Sequence, residues 1–180
     1  MVLISVAGFI YVISVSQMAF LFSGIPGSNY LLIFGNAILI GLALLLYGGR
    51  RWRFLLQGLL VSFLVLPTFG GGKPFDMLAR VPIIINSLHG DILFNSLYGF
   101  FKRRNKLKLW AIMMTTEFYL VSSLLNVLNF YLFSTPDVVT MYVNTIVFVF
   151  PVLIIESAAG ACIGYKIYER TKTTGLVVGQ

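Results

Sequence analysis

Charged side chains are scarce in this chain of 180 residues. Only 11% of the residues are charged, whereas 58% are hydrophobic, and the mean hydropathy is +0.92. A soluble domain needs roughly 25% charged residues to cover its surface. A water-exposed fold of this composition would show apolar patches far larger than monomers tolerate. The solvent for most of the chain is therefore predicted to be lipid.

Reactive side chains are equally few. The single cysteine, Cys162, excludes an intrachain disulfide and a thiolate metal cluster. The single histidine, His89, excludes H-E-x-x-H and other multi-histidine sites. Gly72-Lys73 is followed by Pro74, where a phosphate-binding loop needs Ser or Thr. We therefore predict no metal, no cofactor and no catalytic activity of the chain's own.

What the sequence does contain is a series of long apolar segments separated by short polar turns. At about 20 residues per membrane-spanning helix, the length accommodates six spans and leaves no room for a soluble domain. The sequence thus predicts an all-α integral membrane bundle of six transmembrane helices. It forms one transmembrane domain over residues 1–180, with spans at about 2–22, 30–47, 54–69, 77–101, 110–133 and 138–165.

The basic residues predict the orientation of this bundle. They follow spans two, four and six, whereas the other three connections hold only Lys73, with Arg80 just inside span four. Cytoplasmic loops carry an excess of lysine and arginine. Both termini are therefore predicted to be cytoplasmic in a multi-pass protein of the cell membrane, and no nucleic-acid partner is expected. The clustered residues are Arg50, Arg51, Arg53, Lys102, Arg103, Arg104, Lys106, Lys108, Lys166, Arg170 and Lys172.

Polar residues inside the last three spans indicate where a ligand could bind. Ionisable groups within a membrane span are costly and by default mark a functional site. We therefore predict a polar pocket between spans four, five and six, while spans one to three face lipid or another apolar helix. The acidic members hint at a cationic ligand. The predicted substrate-binding residues are Arg80, His89, Asp91, Asn126, Asn129, Asn144 and Glu156.

Each candidate also has a structural interpretation. Arg80 could extend to the outer headgroups, and His89 could form a hydrogen bond between helices. Glu117, in span five, could pair with Lys106 or Lys108. Asparagines in membrane helices commonly join neighbouring helices. Asp91 and Glu156 could likewise belong to structural pairs rather than to a site.

Gly160 and Gly164 form a small-xxx-small face near the end of span six. Such a face lets two helix backbones approach closely. It could pack within the bundle or against a partner subunit, and both possibilities stay open here.

Three stretches resemble the substrate-capture S components of energy-coupling factor (ECF) vitamin transporters. The first is GIPGS at 24–28 with LLLYGGRR at 44–51. The second is PIIINSLHGD at 82–91, and the third is LIIESAAGACIGYKIYER at 153–170. The resemblance implies a small bundle that binds a vitamin or similar small solute from outside, in the outer half of the membrane, with contacts from spans four to six.

The resemblance also implies partners. S components work with one transmembrane coupling subunit and two cytoplasmic ATPase subunits, which hydrolyse the ATP. A small-residue face on span one docks the coupling subunit in that family. We therefore expect partner docking through Ala7, Gly8, Gly160 and Gly164.

Two other classes of function fit the composition. An accessory subunit of a larger membrane complex would use its polar residues to pair with neighbouring subunits. An intramembrane enzyme has the least support, because the sequence lacks the partner residues that known intramembrane catalytic sites require.

Overall fold

The computed structural model describes residues 1–68 and 73–173, and every regular element in these two ranges is helical. This confirms the all-α prediction. The 3-10 turns Ser28–Leu32 and Leu78–Arg80 precede the second and fourth helices. The helices are α1 (Val2–Ser23), α2 (Phe34–Tyr47), α3 (Arg53–Val65), α4 (Val81–Arg103), α5 (Leu107–Phe133) and α6 (Pro136–Thr173).

The helix ends follow from local sequence. Gly48 adopts a left-handed conformation (φ 58°) at the end of α2, where a residue without a Cβ is favoured. Pro82 stands in the first turn of α4, where its missing N–H costs nothing. Helix α5 ends at Phe133, Ser134 after it is extended, and Pro136 begins α6. A π-helical turn, Val12–Ser16, interrupts α1.

Three of the helices, α1, α5 and α6, are long and apolar enough to cross a membrane. Helices α2 and α3 have 14 and 13 residues, so each is only about 20 Å long, against a hydrocarbon core of about 30 Å. Helix α4 has 23 residues and is more polar. Each of the six predicted spans overlaps one of these helices, and several helices extend beyond the predicted bounds. Three parts of the sequence named above lie outside the described residues: the predicted end of span three at residue 69, Gly72, and residues 174–180.

Five helices form a ring in which α1 contacts α3, α3 contacts α4, and α4 contacts α5. Helix α2 closes the ring by touching α5 and α1, and the sixth helix, α6, packs closely along α2 and α5. Because α2 and α5 meet, α6 lies behind them and outside the centre of the ring.

The close packing of α6 on α2 depends on small residues. A Cβ on Gly160 would lie 2.7 Å from Cβ of Ala37, and one on Gly164 would lie 2.7 Å from the carbonyl oxygen of Ile38. Gly41 of α2 packs equally tightly on Ala161. This small-residue face is thus occupied within the bundle. The docking of a partner at Gly160 and Gly164 does not fit this arrangement, because α2 already fills the space.

The basic clusters meet at one end of the bundle. Aromatic residues from the ends of α2, α4 and α6 and from the start of α5 pack together there, and each adjoins a basic cluster. We call this the basic end, and the opposite end the cleft end. The aromatic residues are Tyr47, Tyr98, Phe101, Trp110 and Tyr168.

Candidate functional site: a central cavity open at the cleft end

A cavity of about 190 Å³ lies at the centre of the ring and is lined by α1 to α5. It adjoins a wider outer cleft of about 1210 Å³. The three connections without basic clusters line the cleft, through residues such as Gly27, Asp76 and Thr135. We call these two spaces the inner cavity and the outer cleft. Five residues line both: Gln17, Asn29, Tyr30, Ala79 and Asn126.

The polar lining of the inner cavity consists of amides and hydroxyls. Each of α1 to α5 contributes one amide, and Asn29 adds another from the connection before α2. Among the described residues that line this cavity, none is an acid, a lysine, an arginine or a histidine. The lining amides are Gln17, Asn29, Asn36, Gln57, Asn86 and Asn126, and the hydroxyls are Tyr30, Ser87, Tyr119 and Ser122.

A short hydrogen-bonded network lies at the junction of inner cavity and outer cleft. The Asn126 side chain donates to the hydroxyl of Tyr30 at 2.8 Å. The Tyr30 hydroxyl lies 3.1 Å from Oγ of Ser122. The network joins α5 to the 3-10 turn before α2, two segments 96 and 92 residues apart at these contacts. It therefore holds three polar groups in fixed positions at the entrance of the inner cavity.

Two buried polar atoms in the cavity lining are left without partners. The Asn86 side chain donates to the carbonyl oxygen of Phe118 at 2.9 Å, which fixes the orientation of its amide. Oδ1 of Asn86 then has no hydrogen-bond partner within the described ranges, and the hydroxyl of Tyr119 lies near the Asn36 side chain without a hydrogen bond of normal geometry to it. Asn86 is 1% exposed and Tyr119 is 4% exposed. An unpaired buried polar group costs about 1–3 kcal/mol, so a bound molecule that satisfied these atoms would be favoured.

The remaining lining of the inner cavity is apolar and partly aromatic. Phe54 and Phe118 meet edge to face with ring centroids 5.3 Å apart, and Ile40 and Val61 lie beside them. Phe94, which does not line the cavity, packs against Phe54 with ring centroids 5.1 Å apart. The cavity thus combines an aromatic surface with a few fixed polar groups, as small-molecule sites commonly do.

Only some of the predicted site residues reach these spaces. Asn126 lines both the inner cavity and the outer cleft, and Asn129 lines the outer cleft. Gly8, expected at a partner surface, is buried and lines the inner cavity, where a Cβ would lie 3.4 Å from Oδ1 of Asn36. Ala7 beside it is half-buried.

Asp91 lies at the start of α3 rather than in the cavity. Its two carboxylate oxygens accept hydrogen bonds from the backbone N–H groups of Trp52 at 2.8 Å and Phe54 at 3.0 Å. The first N–H groups of a helix have no partner within the helix, and the helix dipole favours a negative charge there. Asp91 therefore caps α3.

Arg80 lies at the other end of the same helix. It is 2% exposed, and its Nη2 donates to the carbonyl oxygens of Val65 at 3.3 Å and Thr68 at 3.1 Å. A cation is favoured where a helix ends and its last carbonyl groups lack partners. Helix α4 thus supplies an acid to the start of α3 and a base to its end.

Glu156 has the corresponding role at α2. Its Oε2 accepts from the backbone N–H of Ile33 at 2.9 Å and of Phe34 at 3.1 Å. The next N–H, that of Gly35, donates to the hydroxyl of Tyr11 at 3.1 Å. Side chains from α6 and α1 therefore satisfy the start of α2.

His89 and Asn144 face away from the centre of the ring. Nε2 of His89 lies 3.4 Å from Oε1 of Glu117, and the two side chains are 41% and 26% exposed. This contact joins α4 to α5, so Glu117 meets His89 rather than Lys106 or Lys108. Asn144 is exposed on α6.

The inner cavity is therefore lined by α1 to α5, rather than by the three spans four, five and six alone. Gln17, Asn36 and Gln57 bring the first three helices into its lining, and among described residues α6 contributes none. The sequence did contain a signal for them, since an uncharged amide in a membrane span also needs a partner. Four of the seven predicted residues are ionisable, and three of these, Arg80, Asp91 and Glu156, lie at helix ends.

Comparison of the chain with protein families, with curated proteins and with solved structures found no match. The fold and the site by themselves define a class: an all-helical protein with helices able to cross a membrane, built around an uncharged cavity that opens at one end.

Proposed function

We propose that this chain is a substrate-binding membrane subunit of an importer for a vitamin or similar small solute, similar to an ECF S component and not itself a catalyst. One observation carries the proposal. The inner cavity adjoins the outer cleft, and amides and a hydroxyl are among the residues that line both spaces. A solute entering the cleft would meet the Tyr30–Asn126 contact before the apolar inner wall.

The proposed orientation has six spans, with both termini on the cytoplasmic side of the cell membrane. The meeting of all three basic clusters at one end of the bundle supports it. The outer cleft lies at the other end, so in this orientation it faces outside. That is the side from which an importer must take its solute.

In this proposal the chain has as partners a transmembrane coupling subunit and cytoplasmic ATPase subunits. Helix α1 is the best candidate for docking the coupling subunit, because it is the least buried of the helices able to span a membrane. Leu3 and Ile10 of α1 are 85% and 53% exposed. Ala7 lies between these two residues in the sequence and remains available for such a contact.

Native mass spectrometry of the detergent-purified chain tests the proposal. We expect a vitamin-sized molecule to survive desalting with the wild-type chain. Asn126→Leu should lose this molecule, because it removes the amide that donates to Tyr30 at the cavity entrance. Asn144→Leu is the matched control, because Asn144 is exposed outside the ring, and it should retain the molecule. A wild-type chain without any small molecule would contradict the proposal.

A second candidate function, an accessory subunit of a larger membrane complex, has a specific observation in its favour. Asn144 and the His89–Glu117 pair place polar groups on the outside of the ring, where lipid would leave them poorly satisfied. Neighbouring subunits could satisfy them. If the chain is such an accessory subunit, we expect the purified protein to hold no small molecule and to carry stoichiometric protein partners without ATPase subunits.

A further inference from the structure

We propose that the ligand of the inner cavity is an uncharged small heterocycle or carboxamide that both donates and accepts hydrogen bonds. The inference rests on the proposed capture function and narrows its solute to one chemical class. It differs from the cationic ligand that the acidic residues of the sequence hinted at.

The first argument is the use made of the ionisable residues. Asp91 and Glu156 accept backbone N–H groups at the starts of α3 and α2, and Arg80 donates to carbonyl groups at the end of α3. The two carboxylates and Nη2 of Arg80 are therefore committed to helix ends, whereas Nε and Nη1 of Arg80 are buried without a hydrogen-bond partner among the described residues. Burying a charge without a partner is far more costly than burying a neutral polar group. A charged ligand would find no counter-ion among the described residues of the inner cavity.

The charged residues that do line the path to the site lie in the outer cleft. Lys73 and Asp76 stand there, on the connection between α3 and α4. They carry opposite charges, so together they select neither anions nor cations. Charge selection would have to take place in the inner cavity, where the lining is neutral.

The second argument is the pair of unpaired atoms. Oδ1 of Asn86 can only accept a hydrogen bond, whereas the Tyr119 hydroxyl can donate one. Both belong to residues that line the inner cavity and are more than nine-tenths buried. A ligand with an N–H and a carbonyl or ring nitrogen would satisfy both atoms. Sites built to hydrogen-bond a ligand strongly reject analogues that leave such groups unpaired.

The third argument is the apolar wall formed by Phe54 and Phe118. Aromatic side chains favour offset or edge contacts with other rings. A planar ligand could rest against this wall while its edge meets the amides. An aliphatic polyol would leave the wall without a partner.

Calorimetric titration of the purified full-length chain in lipid nanodiscs tests the ligand class directly. The probes are nicotinamide against nicotinate and uracil against orotate, with thiamine as a cation. At pH 7.4 we expect a neutral probe to bind at least tenfold more tightly than its carboxylate counterpart in one pair or both, and more tightly than thiamine. Tighter binding of a carboxylate or of thiamine would overturn the ligand class while leaving the capture function intact.

Two tyrosine-to-phenylalanine variants on α5 distinguish the loss of a contact in the inner cavity from a general effect of removing a hydroxyl. Tyr119→Phe removes only a hydroxyl and should weaken the bound neutral probe at least fivefold. Tyr131→Phe is the control, since Tyr131 lies on the same helix and is 72% exposed; it should leave the affinity unchanged. Equal affinities in the two variants would contradict the role of Tyr119 and, with it, the donor–acceptor argument.

Absence of binding by every probe would also overturn the inference. The proposed function would then be judged by native mass spectrometry alone. A retained molecule of another class would uphold capture without this ligand class, and an empty chain would reject both.

Discussion

At the scale of single residues, the ionisable side chains within the predicted spans serve backbone groups rather than a ligand. Asp91, Arg80 and Glu156 each meet two or more backbone groups at or next to the end of another helix. Water is absent from a bilayer core, so helix ends placed there must be satisfied by protein. A charge that is expensive in lipid becomes stabilising once it is shared among several N–H or C=O groups.

Asp91→Asn should destabilise the folded chain by about 1–2 kcal/mol, because Asn keeps one acceptor oxygen and loses the charge at the start of α3. Thermal unfolding in detergent, followed by circular dichroism, measures the effect. Glu169→Gln serves as the control because Glu169 is exposed, and its midpoint should stay close to that of the wild type. Equal midpoints for the two variants would argue against the capping role.

At the scale of elements, two short helices depend on longer neighbours. Helices α2 and α3 have 14 and 13 residues, and their starts are capped by acids from α6 and α4. Helix α2 also lies against α6 at backbone distance, through Gly41, Gly160 and Gly164. In lipid, close packing of small residues replaces the hydrophobic effect as the source of helix association.

Gly160→Ala should destabilise the bundle by about 1–3 kcal/mol, the range for overpacked cores. The new Cβ would lie 2.7 Å from Cβ of Ala37 and 2.8 Å from the carbonyl oxygen of Phe34. Gly99→Ala, in α4, is the matched control because nothing lies within 4 Å of its Cβ. Alanine is the better helix former by about 1 kcal/mol, so this control should be neutral or stabilising. The unfolding midpoint should thus fall for Gly160→Ala and stay the same or rise for Gly99→Ala.

At the scale of the whole molecule, the arrangement around one cavity separates two ends of different charge. The basic clusters lie beside the aromatic residues at one end, and the outer cleft opens at the other. This polarity orients the proposed capture of a solute from outside.

Cysteine labelling in intact cells tests that orientation. In a Cys162→Ser background, Thr135→Cys at the cleft end should react with a membrane-impermeant maleimide. Thr173→Cys at the end of α6 should react only after the membrane is permeabilised. Both threonines are exposed, so accessibility on the protein itself is matched. The reverse labelling pattern would contradict the proposed orientation, and labelling of both sites in intact cells would show that α6 does not cross the membrane.

Much of the secondary structure could be predicted from the sequence. The lengths of the apolar runs predicted where helices lie, since a backbone in lipid must satisfy its own hydrogen bonds. In the structure, glycine and proline mark two of the ends, with Gly48 after α2 and Pro136 at the start of α6. The lining of the cavity was harder to predict, and of the predicted substrate-binding residues only Asn126 and Asn129 line the cavity or cleft.

What the sequence by itself determined is the helical class, the place of each helix and the asymmetry of basic charge, because these depend on composition and on residues close in the chain. Only the tertiary structure decided which polar groups face the centre. Asp91 meets Trp52 across 39 residues, and Glu156 meets Ile33 across 123. Such pairings depend on the rotation and order of the helices in the ring, which packing between distant segments sets. Because these pairings hold Asp91 and Glu156 at helix starts, the polar lining of the inner cavity consists of neutral amides and hydroxyls.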